Sequence, residues 1–243
     1  MNMFYKMIFR LRSFIVSFPR HIVTKDEYIK WLVYANPGLL HPGNVYLFEK
    51  AISKLPSSSP ILEIGSFCGL STNIISYFLT KYGRKNKIFT CDIWETAPAW
   101  NNKRKLARSN ISRIEYMKYV RNIFKMNVTF FSKTNKPFAV MSTSDNFFKA
   151  WSKGAFLKDI FGRKIKARGK FSFCYIDGDH SLAQARKDFQ NADKYLEKGG
   201  FVLFDDSAPY SGYECAKLME EIMRNNNYEL ICKNPNFLFR KIK

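Results

Sequence analysis

No apolar run in this sequence reaches the ~18 residues that a membrane-spanning helix requires, so no transmembrane anchor is expected. The five cysteines, Cys68, Cys91, Cys174, Cys215 and Cys232, are odd in number and form no CxxC pair. Cys91 and Cys174 sit inside apolar, strand-like runs, where a thiol is an ordinary buried hydrophobe. That pattern speaks against a disulfide framework or a zinc knuckle and for a reducing, cytoplasmic compartment. Acids are scarce, with 20 Asp and Glu against 40 Lys and Arg, a net charge of +20. Between Lys103 and Lys170, 18 basic residues face only Glu115, Asp145 and Asp159. A field of that sign attracts phosphorylated substrates, anionic glycans, nucleic acid or lipid headgroups without choosing among them. Solvated helix faces in a lysine-rich protein give the same count. No repeat of 20–50 residues and no nucleic-acid-binding module is evident.

What is present fits one α/β domain with additions: 243 residues, 46% apolar and 25% charged. In residues 1–18, Met3, Phe4, Met7, Ile8, Leu11, Phe14, Ile15 and Phe18 recur at helical spacing, with Lys6 and Arg10 off the stripe. Such a basic amphipathic helix packs on its own domain or on a partner subunit, lies on a membrane surface, or resembles a transit sequence. Residues 1–42 therefore read as a helical extension and 43–243 as the main domain. There, apolar strands alternate with helices: strands 61–65, 87–92, 138–142, 171–177 and 201–205, helices 70–81, about 101–125, 145–152, 182–197 and 212–225. Residues 228–241 close the chain as an antiparallel hairpin around "NPN". The alternation predicts a Rossmann-like, seven-stranded, doubly wound sheet, mostly parallel and covered on both faces. The basic stretches, about 98–136 and the loop 154–170, read as its additions.

Ligands on such sheets collect at the carboxyl ends of the strands. The first strand runs into "LEIGSFCGLST", where Gly65 and Gly69 permit a tight turn and close approach of a ligand. The spacing is G-x-x-x-G, not the G-x-G-x-x-G of dinucleotide sites. Asp92 ends the second strand, where an acid can accept from both ribose hydroxyls of a nucleoside. The fourth strand runs into "YIDGDHS" and the fifth into "FDDS". If the strands ending at Asp177 and Asp205 are neighbours in the sheet, they lie ~4.8 Å apart. The adjacent Asp205 and Asp206 repel unless a cation or hydrogen bonds offset them. Three carboxylates with room for water suit Mg²⁺, Mn²⁺ or Ca²⁺ rather than zinc. Ser181 and Gln184 form an S-x-x-Q capping box that starts a helix just after His180.

In these segments the sequence resembles the class I S-adenosylmethionine (SAM)-dependent methyltransferases, over roughly residues 43 to 243. "YIDGDHS" and "LEKGGFVLFDDS" narrow the likeness to the metal-dependent O-methyltransferases, including catechol-type enzymes and the group related to macrolide-sugar methyltransferases. The resemblance implies SAM contacts from Glu63, Gly65, Ser66, Phe67, Gly69, Ser71, Asp92, Ser144 and Asp177, with Ser144 at the adenine edge. Trp94 would flank the adenine or sit in the core. It further implies a divalent cation, Mg²⁺ foremost, on Asp177, Asp205 and Asp206, and His180 as the general base. The expected reaction is O-methylation of a small molecule, foremost a sugar, nucleotide-sugar or glycan, and an anionic one would suit the basic face. Two other readings stay open. One is an RNA methyltransferase or RNA-binding protein, although the N-P-P-Y motif of amino-group methylation is absent. The other is a non-catalytic, membrane-associated subunit that uses residues 1–18. A homo-oligomer is compatible with each.

Overall fold

A computed structural model of the chain describes residues 22–95 and 105–243. The amphipathic stripe of residues 1–18 lies outside them, as does the start of the expected basic helix. The elements run α1 (Glu27–Ala35), α2 (Pro42–Ile52), β1 (Ile61–Ile64), α3 (Leu70–Lys81), β2 (Ile88–Asp92), α4 (Arg113–Phe131), β3 (Phe138–Met141), α5 (Ser144–Ser152), β4 (Phe156–Lys158), β5 (Lys164–Lys166), β6 (Phe171–Ile176), α6 (Leu182–Tyr195), β7 (Leu196–Phe204), α7 (Leu218–Arg224), β8 (Tyr228–Lys233) and β9 (Phe237–Lys241). A single 3₁₀ turn, Glu214–Lys217, precedes α7.

Seven strands form one sheet in the order β3-β2-β1-β6-β7-β9-β8. The first five pair in parallel, and β9 runs antiparallel to both β7 and β8. The architecture is the expected Rossmann-like one. Strand parity divides the core. Leu62, Ile64, Phe89, Cys91, Cys174, Ile176, Val202 and Phe204 face α5, α6 and α7. Ile61, Ile88, Phe173, Tyr175, Phe201 and Leu203 face α1, α2 and α3. With both faces covered, β1 and β6 are buried at every position, which explains why they read as continuous apolar runs. A third cluster, with Cys68, Trp94, Phe124 and Val128, seats α4 beside the turn after β1. All five cysteines are free and buried.

Three expectations need correction. The basic helix starts at Arg113 and ends at Phe131 rather than spanning 101–125. Ser112 and Glu115 form a capping box that fixes its start, and an isolated bridge between Lys105 and Ser112 holds the preceding turn. The stretch 154–170 is not an irregular loop, because β4 and β5 pair within it as an antiparallel hairpin. The last helix is shorter than 212–225, with a 3₁₀ turn leading into a seven-residue α7.

The extension before α2 is fastened to the domain. Ile29 and Leu32 of α1 are buried, Tyr28 stacks on Tyr77 of α3 with ring centroids 4.4 Å apart, and Lys81 bridges Asp26 and Glu49 at 2.9 and 2.8 Å.

Candidate active site

The turn after β1 is built on two glycines. Gly65 and Gly69 have φ of 82° and 86°, the left-handed region that favours glycine. Gly69 is the N-cap of α3. Between them, the backbone N–H groups of Ser66 and Phe67 donate to Asp92 Oδ2 at 2.9 and 3.0 Å. Asp92 Oδ1 accepts from the Trp94 backbone at 2.7 Å. Asp92 thus ties the glycine turn to the end of β2, with lone pairs left over for a nucleoside. The Trp94 indole is buried and donates to the Phe67 carbonyl at 2.9 Å. Its ring lies 4.9 Å from that of Phe124, so Trp94 belongs to the core.

Glu63 is fully buried beneath this turn. Its carboxylate accepts from Ser71 Oγ at 2.6 Å and from the Thr72 hydroxyl, which anchors the first turn of α3. Burial, only partly offset by these hydroxyls, pushes its pKa up to about 7. Ser144 opens α5, next to the Thr143 cap. Its hydroxyl accepts from Gln184 Nε2 of α6 at 3.3 Å.

The acids expected at β6 and β7 come together at adjacent strand ends. Ile176 pairs with Phe204 in the parallel register, which sets Asp177 beside Asp205. The Tyr175 hydroxyl donates to Asp177 Oδ2 at 3.1 Å. Burial, and then the charge of Asp205, push the Asp177 carboxyl well above its ordinary range. Burial and the charge of Asp206 also raise the Asp205 carboxyl above its ordinary value. Asp206 sits at a φ of 48°, in the left-handed region that Asp tolerates better than most side-chain-bearing residues.

His180 joins this group. Its Nε2 lies 3.5 Å from Asp206 Oδ2, with both side chains about one-third exposed at 36% and 35%. The imidazole packs against the Tyr213 ring at 4.6 Å, and the His180 carbonyl accepts from the Cys215 backbone at 3.1 Å. The expected capping box is only half formed. Ser181 Oγ accepts from Gln184 N at 3.3 Å, but the Ser181 N–H goes to Asp179 Oδ1 at 2.7 Å. With that donor already satisfied, Gln184 reaches Ser144 and Asp188 instead.

Two asparagine networks escaped sequence reasoning. Asp205 Oδ1 accepts from Asn44 at 2.5 Å and from Asn236 at 2.7 Å, and Asn236 also donates to Asn44 Oδ1 at 2.9 Å. The "NPN" turn and the start of α2 therefore hold the acid from two sides. Elsewhere, Asn36 and Asn127 both donate to the Cys68 carbonyl, at 3.1 and 2.8 Å. Asn36 in turn accepts from Asn73, itself bonded to Ser132. This chain clamps the glycine turn between the extension, α3 and α4. Lone asparagines beside proline and glycine read simply as turn formers.

Among the described residues, no group of three or more His, Cys, Asp and Glu is arranged to hold a metal ion. Asp205 gives one oxygen to the two asparagines, and Asp206 faces His180. No described helix is long and apolar enough to cross a membrane.

Comparison with known proteins agrees with this fold. A methyltransferase domain family model matches residues 62–207, from β1 through the acids after β7. No curated protein matches by sequence. Among solved structures, an O-methyltransferase from Bacillus cereus in complex with S-adenosylhomocysteine (SAH) is similar, at 13% identity and a TM-score of 0.57, over 91% of this chain and 93% of that one. The O-methyltransferase NovP is similar at 11% identity and a TM-score of 0.55, over 99% and 98%. CalS11, a calicheamicin methyltransferase, is similar at 13% identity and a TM-score of 0.53, over 81% and 77%. At such identities the likeness is one of fold. The family match, running from the glycine turn to the paired aspartates, shows that the chain belongs to the methyltransferase domain family, as a class I SAM-dependent methyltransferase.

Proposed function

We propose that the chain transfers the methyl group of SAM to a hydroxyl of a sugar, nucleotide-sugar or glycan, with a divalent cation, Mg²⁺ foremost, at the acids after β6 and β7. The observation that carries this reading is His180, 3.5 Å from Asp206, at the strand ends where Asp205 raises the proton affinity of Asp177 and Asp206 raises that of Asp205. The fit to a cation is one of donor type: hard oxygens in mutual repulsion suit Mg²⁺, Mn²⁺ or Ca²⁺. Asp177, Asp205 through its second oxygen, and Asp206 would hold the ion. Bound there, it would lower the pKa of an acceptor hydroxyl.

His180 accepts the hydroxyl proton, and Asp206 stabilises the imidazolium that results. Tyr213 limits the swing of the ring. The acceptor oxygen then bonds to the sulfonium methyl carbon as the carbon–sulfur bond breaks, and SAH departs as a neutral thioether. Asp92 and the glycine turn orient the donor, and much of the rate arises from holding the two reactants in line. The excess of basic residues between Lys103 and Lys136, where Glu115 is the one acid, favours an anionic acceptor such as a nucleotide-sugar.

The test is methyl transfer from radiolabelled SAM to a panel of nucleotide-sugars and free sugars, with and without EDTA. Transfer that EDTA abolishes and Mg²⁺ restores is the expected result. Transfer unchanged in EDTA removes the cation, and transfer to amine acceptors alone removes the O-methylation reading.

A further inference from the structure

The segment joining α5 to β6 takes no part in the chemistry above, yet its charge is strongly one-sided. Residues 153–170 carry seven Lys and Arg against the single acid Asp159. That acid is buried and held by Arg163, Nε to Oδ2 at 2.7 Å. In the hairpin, Phe156 pairs with Lys166, Leu157 with Ile165 and Lys158 with Lys164. Leu157 turns into the core. Phe156, Lys158, Lys164 and Lys166 form the opposite, exposed face, with Phe156 73% exposed.

Like charges directly across a strand pair destabilise it, and Lys158 and Lys164 are such a pair. Among the described residues, no carboxylate pairs with Lys158, Lys164 or Lys166. The platform is nevertheless firmly fixed. Ile160 N donates to the Ala139 carbonyl of β3 at 2.9 Å, Arg163 donates to the Pro137 carbonyl, and the Trp151 indole donates to the Gly169 carbonyl at 3.1 Å. The chain thus holds unneutralised charge on a rigid ribbon at the β3 edge of the sheet, with one large apolar side chain among the amines.

We propose that the outer face of the β4–β5 hairpin docks the protein on an anionic lipid surface, Phe156 entering the headgroup region and the three lysines meeting lipid phosphates. A surface-binding segment gains from just this mixture of apolar anchor and basic charge. A nucleic-acid platform would need a row of aromatics for successive bases, whereas this face has one. Its cations are lysines, point charges without the planar fork that suits base and phosphate recognition by arginine. The inference is independent of the proposed methyl acceptor.

The test is co-sedimentation of the full chain with vesicles of phosphatidylcholine alone or with about one-third phosphatidylglycerol, at two salt concentrations. Anionic vesicles bind the protein, binding weakens with salt, and neutral vesicles do not bind it. Replacing Lys158, Lys164 and Lys166 with Gln lowers the partition coefficient on the order of a hundredfold, and Phe156→Ser lowers it further, while SAH still raises the melting temperature of each variant. Unchanged vesicle binding by the triple variant overturns the proposal. So does a triple variant that loses affinity for a single-stranded RNA oligonucleotide but not for vesicles.

Discussion

A β-carbon on Gly65 would lie 1.9 Å from the carbonyl oxygen of Asp177. The glycine turn after β1 and the acid after β6 are therefore in backbone contact, and Asp177 N donates to the Ile64 carbonyl at 2.8 Å. Any shift of one is felt by the other. Gly65→Ala must relieve both this clash and a positive φ, at a cost of about 2–5 kcal/mol. Urea unfolding measures the loss. A variant as stable as the parent would contradict the contact.

The amide clamp on Asp205 makes a second prediction. Asn236→Ala removes one of two donors to a buried carboxylate oxygen and should destabilise the fold by about 1–3 kcal/mol. Asn44→Ala should do the same. Because both act on one oxygen, a double-mutant cycle should show non-additivity. Strictly additive losses would separate the two asparagines.

Glu63 carries a pH signature. Burial raises its folded pKa from 4.5 to about 7. The native state then holds a proton that the unfolded chain releases, so this group's favourable contribution is complete below the unfolded value. It is lost as pH rises towards 7. Glu63→Gln, a mimic of the protonated form, should gain stability relative to the parent between about pH 5 and pH 8. A stability difference independent of pH over that interval would count against the buried proton.

For the chemistry, His180→Ala should lower turnover by about 10²–10⁴-fold while SAH and Mn²⁺ affinities stay nearly constant. Calorimetric titration beside steady-state kinetics separates the two. Equal loss of Mn²⁺ affinity would mark His180 as a ligand rather than a base.

Asp177→Ala should abolish transfer yet leave the thermal shift produced by SAH. Full activity in that variant would remove the acid from the reaction altogether.

Much of the fold is legible in the sequence because β1, β3 and β6 are short apolar runs, each followed within a few residues by a helix start. Leu70–Lys81 is read closely because Gly69 marks its start. The start of α4 is misplaced because basic periodicity outweighs a visible Ser112-x-x-Glu115 box. The β4–β5 hairpin is hidden by three-residue strands, although Phe156-Leu157-Lys158 and Lys164-Ile165-Lys166 do alternate. The acids of the site announce themselves as carboxylates after apolar strands. Asn44 and Asn236 do not, because their partner Asp205 lies 161 and 31 residues away, and only the completed sheet joins them.

The sealed cysteines equip the protein with an internal clock. Cys91, Cys174 and Cys215 lie in one apolar cluster, Cys232 in another and Cys68 in the third. A water-soluble disulfide reagent can reach each sulfur only when its cluster opens, so labelling rates followed site by site would time the breathing of each layer. Cys68, within the glycine turn, would keep time for the donor cleft itself, and its reaction should slow when SAH is bound.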